Sequence, residues 1–164
     1  MFDITKHYNA IAPKLTNYLA ANGLDYHTAC DIVQETFRRM WKMRDDIVDD
    51  DAQISGLAYT IARNLRTSHY RADKHIVFQE EIRDEDAGST GPAASPSDAE
   101  YLRGRINAAL AKLPPLLREA YTLFQISELS VKQISYQTGA SESLVKVRVH
   151  RAKLQLRELL KDLV

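Results

Sequence analysis

The sequence predicts an all-α protein built as two small helical domains joined by a flexible acidic linker. Three observations predict it. Apolar residues recur at three- and four-residue steps along most of the 164-residue chain, and no stretch alternates apolar and polar residues as a half-buried strand would. Composition breaks around residues 80–100, where Gly88, Gly91, Pro92 and Pro96 stand among Ala, Ser and acid with almost nothing apolar to bury. Between 130 and 160, a short capped segment, a glycine and a second capped segment follow one another, the pattern of two helices joined by a tight turn. The expected domains are 1–79 and 100–164, with 80–99 as the linker.

In chain order, Tyr8, Ile11, Leu15 and Leu19 form a first helical stripe that stops at Asn22-Gly23. Ala29, Ile32, Val33, Phe37, Met40 and Trp41 form a second over 25–44, with Phe37 and Trp41 expected in the core. Ile54, Leu57, Ala58, Ile61, Ala62 and Leu65 form a third over 53–71. After the linker, Leu102, Ile106, Ala109, Leu110 and Leu113 make a helix that halts at Pro114-Pro115, and Pro115 can open the next one. Ser130 and Gln133 fit a capping box, Gly139 fits a turn that needs positive φ, and Ser141 fits an N-cap with Glu142 beside it. The expectation is three helices, a linker, then four shorter helices.

Charge narrows the function. Lys plus Arg and Asp plus Glu both number 22, so the net charge is zero. The balance is segregated: residues 80–100 carry −6 and residues 101–164 carry +6. The linker would relax to about 25 Å end to end, and its carboxylates are expected to compete with phosphate for the basic third. No apolar run approaches the ~20 residues of a membrane span, the N-terminus lacks a secretion-signal pattern, and no membrane insertion is expected. A lone cysteine, Cys30, excludes an intramolecular disulfide; it is expected as a small buried residue in a protein of the reducing cytoplasm. The five histidines have no ligand spacing, and neither a glycine-rich phosphate loop nor a nucleophile elbow is present. No metal, no cofactor and no catalytic residue is expected.

The last helix carries the sharpest chemical signal. At 100° per residue, Val145, Val149, Ala152, Leu156 and Leu159 share one side. Ser143, Lys146, Val147, His150 and Arg151 face the other way, with Arg148 and Lys153 at the flanks. A basic, small-residue face on the second helix of such a motif suits a major groove, where Lys and Arg reach phosphates or guanine edges.

The stretch from Leu113, Pro114, Pro115 and Leu116 through Ser130–Ser135 to Val145–Ala152 resembles region four of the extracytoplasmic-function group of bacterial sigma factors. Asp31, Ile32, Val33, Gln34, Glu35, Thr36 and Phe37, with Trp41 after them, are similar to the region-two motif, and Tyr59 to Asn64 to its next helix. The resemblance covers nearly the whole chain. It implies a transcription initiation factor that performs no covalent chemistry itself. Asp31, Gln34, Glu35 and Arg38 would bind core RNA polymerase. Tyr59, Arg63, Asn64, Arg66, His69, Tyr70 and Arg71 would bind the opened minus-10 promoter strand, bases on aromatic rings and backbone along cations. Ser141, Ser143, Lys146, Val147, Arg148, His150, Arg151 and Lys153 would bind the minus-35 duplex. An anti-sigma factor is the implied regulator.

The chain departs from the family pattern in places. Leu57 stands where many relatives carry Trp, Ser143 and Leu144 replace the usual Gly-Thr, and the loop expected to capture a minus-10 base carries five carboxylates at 45–51. Two other readings fit the residues: a helix-turn-helix regulator that acts without polymerase, and a sigma mimic that titrates an anti-sigma factor.

Overall fold

The computed structural model describes residues 2–77 and 97–163; the residues expected to form the linker lie almost wholly outside them. Among the described residues there are seven α-helices and no strand: α1 (Ile4–Ala21), α2 (Tyr26–Lys42), α3 (Asp51–Val77), α4 (Asp98–Lys112), α5 (Pro115–Gln125), α6 (Val131–Thr138) and α7 (Glu142–Leu159), with 3-10 turns at Arg44–Asp46 and Lys161–Leu163.

 Most helix starts are set locally. Asp3 and Asp25 accept backbone N–H bonds from Lys6 and Thr28 at 3.2 and 3.1 Å. Ser97 and Glu100 form a capping box, so α4 begins at Asp98, two residues before the expected start of the second domain. Ser130 and Gln133 form another at 3.1 and 2.9 Å, and Ser141 caps α7 through Leu144 N–H at 3.1 Å.

Gly139 ends α6 in the left-handed region at φ 77°, as its place in the sequence requires. The α6–turn–α7 unit therefore forms where local chemistry predicts it. The third helix is longer than its apolar stripe, and α7, at 18 residues, matches α1 in length rather than being shorter.

The two halves share a core. Leu15, Tyr18, Leu19, Phe37, Met40, Ile54, Ala58 and Tyr59 from the first half form one buried cluster with Ala120, Leu123, Leu129, Ile134, Val145 and Val149 from the second. A fully buried leucine such as Leu15 or Leu123 contributes about 1.5–3 kcal/mol relative to an exposed one. A second cluster joins Ala109 and Leu110 of α4, with Leu113 at its C-cap, to Ala152 and Leu156 of α7. The modules thus meet over apolar surface, which neither half's stripe reveals on its own.

Three burial expectations are corrected. Trp41 is 45% exposed, with the Arg44 guanidinium 4.2 Å from its ring centroid. Leu102 and Ile106 are exposed, because only the C-terminal part of α4 packs on α7. Cys30 is half-buried rather than buried.

An alanine at Gly139 would keep the left-handed backbone at a cost of about 1–2 kcal/mol. Gly139→Ala is expected to lower unfolding free energy by that amount in urea titrations, and Gly139→Asn by less.

Candidate polymerase and nucleic-acid interfaces

The first candidate surface lies between α1 and α2. Ile4, Thr5 and Tyr8 face Asp31, Gln34, Glu35, Phe37, Arg38 and Trp41 across an open groove of about 550 Å³. All four residues expected to contact polymerase line it. Their positions follow from the amphipathic spacing of α2, whose other side buries Ala29, Ile32, Val33, Thr36 and Met40.

Within the groove, Gln34 Nε2 donates to the Tyr8 hydroxyl at 2.7 Å. Glu35 accepts from Arg39 at 3.0 Å and from Arg38, and these bonds hold its carboxyl below the usual range. The surface therefore offers apolar walls from Ile4 and Trp41 beside fixed polar groups, a mixture suited to a partner helix. Ile4, Thr5, Tyr8 and Trp41 were not among the expected site residues. Tyr8 and Trp41 have the spacing of core residues, and only their placement at the edge of the helix pair exposes them.

The second surface is α3. Asn64, Tyr70 and Arg71 are exposed, and His69 is half-buried. Tyr59 is not available to a strand: it is 1% exposed, edge-on to Tyr18 with ring centroids 5.6 Å apart. The expectation that it binds the opened strand is corrected, because its position on α3 points into the core shared by α1, α3 and the second module. Burial pushes its phenol pKa up against a smaller lowering by the nearby Ser127 side chain, and neither hydroxyl makes a hydrogen bond of good geometry.

Arg63 and Arg66 lie on the same side of α3, and neither is free in this arrangement. Each donates to one oxygen of Glu119 on α5, Arg66 at 2.9 Å. Arg66 also donates to the Tyr18 hydroxyl at 3.2 Å, and Arg63 to the Gln137 carbonyl. Burial opposes the Arg66 charge, but Tyr18 and Glu119 outweigh it and its pKa rises. Burial, reinforced by the Glu119 carboxylate, pushes the Tyr18 phenol up.

The third surface is α7. Ser141, Ser143, Lys146, Val147, His150, Arg151 and Lys153 are exposed, and Arg148 is half-buried. The opposite face buries Val145, Val149, Ala152 and Leu156, as the helical spacing predicts; Leu159 is half-buried. Lys153 Nζ stands 5.1 Å from the Phe124 ring centroid, which turns that cation toward α5. Lys132 and Tyr136 on α6 are also exposed, Tyr136 at 82%, and neither was expected in a site. Among the described residues, no group of three His, Cys, Asp or Glu could hold a metal ion, and no helix is long and apolar enough to cross a membrane.

The fold and its surfaces define a two-part helical protein, a grooved module packed on a module that carries a basic helix-turn-helix. Residues 7–76 match the sigma-70 region 2 family and residues 103–156 the sigma-70 region 4 family. The chain is 28% identical to the ECF RNA polymerase sigma factor SigM of Bacillus subtilis, over 95% of this chain and 94% of that one. It is 32% identical to SigW of the same organism, over 84% of this chain and 78% of that one. Among solved structures it is similar to the sigma factor RpoE of Bartonella quintana, determined in complex with the anti-sigma factor NepR. That match has a TM-score of 0.75 and 25% identity, and it covers 96% of both chains. The chain belongs to the ECF family of RNA polymerase sigma factors.

Removing a buried hydroxyl that makes no well-formed hydrogen bond relieves a desolvation cost. Tyr59→Phe is therefore expected to leave stability unchanged or raise it by up to about 1 kcal/mol. Thermal unfolding checks this; a clear loss of stability would show that the hydroxyl is satisfied in solution.

Proposed function

We propose that the chain binds core RNA polymerase through the α1–α2 groove and directs it to a bipartite promoter. The exposed side chains of α3 engage the opened minus-10 strand, and α7 enters the minus-35 major groove. The functional domains are residues 1–79 and 100–164. The observation that carries this reading is the meeting of Asp31, Gln34, Glu35 and Arg38 in one groove, on the same chain as a capped, basic helix-turn-helix. The groove supplies a surface for a protein helix, and α7 supplies cations near its exposed N-terminal turns for phosphates and base edges. The chain itself performs no covalent chemistry and acts in the cytoplasm, where polymerase is. An anti-sigma factor holds it inactive; the Bartonella relative's complex with NepR supports this.

Run-off transcription from a genomic fragment library tests the function. Core polymerase is expected to give specific new starts only when the protein is added. Absence of such starts, together with tight duplex binding by the protein alone, would favour a regulator that works without polymerase.

Replacing Lys146 or Arg151 by Ala is expected to weaken duplex binding by about 1–3 kcal/mol where the contact is to a base, with no loss of helix. Footprints of the upstream element, unchanged in both variants, would contradict the proposed face of α7.

A further inference from the structure

We infer that Glu119 is an internal competitor for the promoter strand, a latch that keeps the two modules closed by occupying the cations of α3. The inference rests on the proposed role of α3 in strand binding. Glu119 is the only acidic residue of α5, and it stands in the second module. Its two carboxylate oxygens take one guanidinium each, from Arg63 and Arg66 of the first module. A carboxylate shared between two arginines presents the same chemistry as a strand phosphate: two oxygens, negative charge and no donor. All three side chains are mostly shielded, at 23%, 19% and 15% exposure for Arg63, Arg66 and Glu119. Glu119 occupies the guanidinium N–H groups that a phosphate would use.

The contact is reinforced around its edges. Gln137 of α6 donates from Nε2 to the Gly56 carbonyl at 2.9 Å and to Thr60 Oγ1 at 3.2 Å. Its own carbonyl accepts from Arg63. Asn22 Nδ2 donates to Thr122 Oγ1 at 2.9 Å, and Lys14 pairs with Glu128 at 3.0 Å. Glu128 itself holds a left-handed backbone at φ 57°. These bonds all join the first module to the second. Those of Gln137 tie the first helix of the helix-turn-helix to α3, so the minus-10 and minus-35 surfaces are held together in the closed form.

The consequence is a population effect. Strand affinity is reduced by the fraction of molecules that are open, so loosening the latch tightens apparent binding without creating a new contact. Glu119→Gln removes the charge and keeps the shape. It leaves two shielded guanidiniums without a counter-charge, which favours opening to water.

The full chain and its variants are compared by small-angle scattering and by fluorescence anisotropy with a labelled single-stranded dT20. The wild type is expected to be compact, with a radius of gyration near the roughly 15 Å of a folded chain of this length. Glu119→Gln is expected to expand and to bind dT20 about ten-fold more tightly, the scale of one charge-assisted contact. Gln137→Ala, which removes no charge, is expected to shift both readouts the same way by less. Adding Arg63→Ala and Arg66→Ala to Glu119→Gln is expected to keep the expansion and lose the gain in binding.

A Glu119→Gln protein that stays compact with unchanged affinity overturns the latch, and so does expansion without tighter binding. Circular dichroism of each variant confirms retained helix. Retention on core polymerase, measured on the same preparations, separates the two questions: its loss in the wild type would overturn the proposed function and leave these outcomes readable.

Discussion

Glu119 reaches across from α5 to Arg63 and Arg66, which stand three residues apart on α3. That contact is where the fold and the proposed function meet. Burying an ion pair is not a generous source of stability, because desolvation offsets most of the attraction. The larger favourable contribution to module packing comes from the shared apolar cluster around Leu123, Ile134, Tyr18 and Tyr59. The ion pair instead fixes register. Apolar faces can slide over one another; a carboxylate that must satisfy two guanidiniums cannot.

Register has a functional price here, since the proposed strand-binding cations are the ones it uses. Asn64, Tyr70 and Arg71 remain exposed on the same helix, while Arg63 and Arg66 are engaged. The α1–α2 groove is lined entirely by the first module and stays open while the modules are closed. On the proposed roles, polymerase docking and strand binding are physically separable: the first needs no rearrangement of the modules, and the second needs Arg63 and Arg66 released.

Much of this architecture is written in local chemistry. The capping box at Ser130, the left-handed Gly139 and the Ser141 cap all form as the sequence predicts, since each depends on residues within a few positions. The Ser97 box is just as local, but it falls inside the stretch expected to be linker. The inward face of α7 and the outward face of α2 follow from helical spacing alone. Trp41 was misread because an aromatic residue at core spacing can still stand at the rim of a helix pair. Leu102 and Ile106 were misread because an apolar stripe predicts a buried face only where a neighbour covers it. The engagement of Arg63 and Arg66 is not legible for a different reason: their shared partner lies across the module boundary, and Glu119 is 53 residues beyond Arg66. Tyr59 is taken up by Tyr18 and the cluster shared by the two modules. An acidic competitor was expected in the linker by charge balance. That linker lies outside the described residues; the acid that engages the α3 cations, Glu119, is a single residue in a segment that is basic overall, which segment-level arithmetic cannot reveal.

The central claim is that Arg66 and Glu119 are energetically coupled across the two modules. A double-mutant cycle tests it most directly: Arg66→Ala, Glu119→Ala and the double variant, each unfolded in denaturant. The account predicts a favourable coupling of about 0.5–3 kcal/mol, as for residues in direct contact. Additive effects, with coupling indistinguishable from zero, would contradict it.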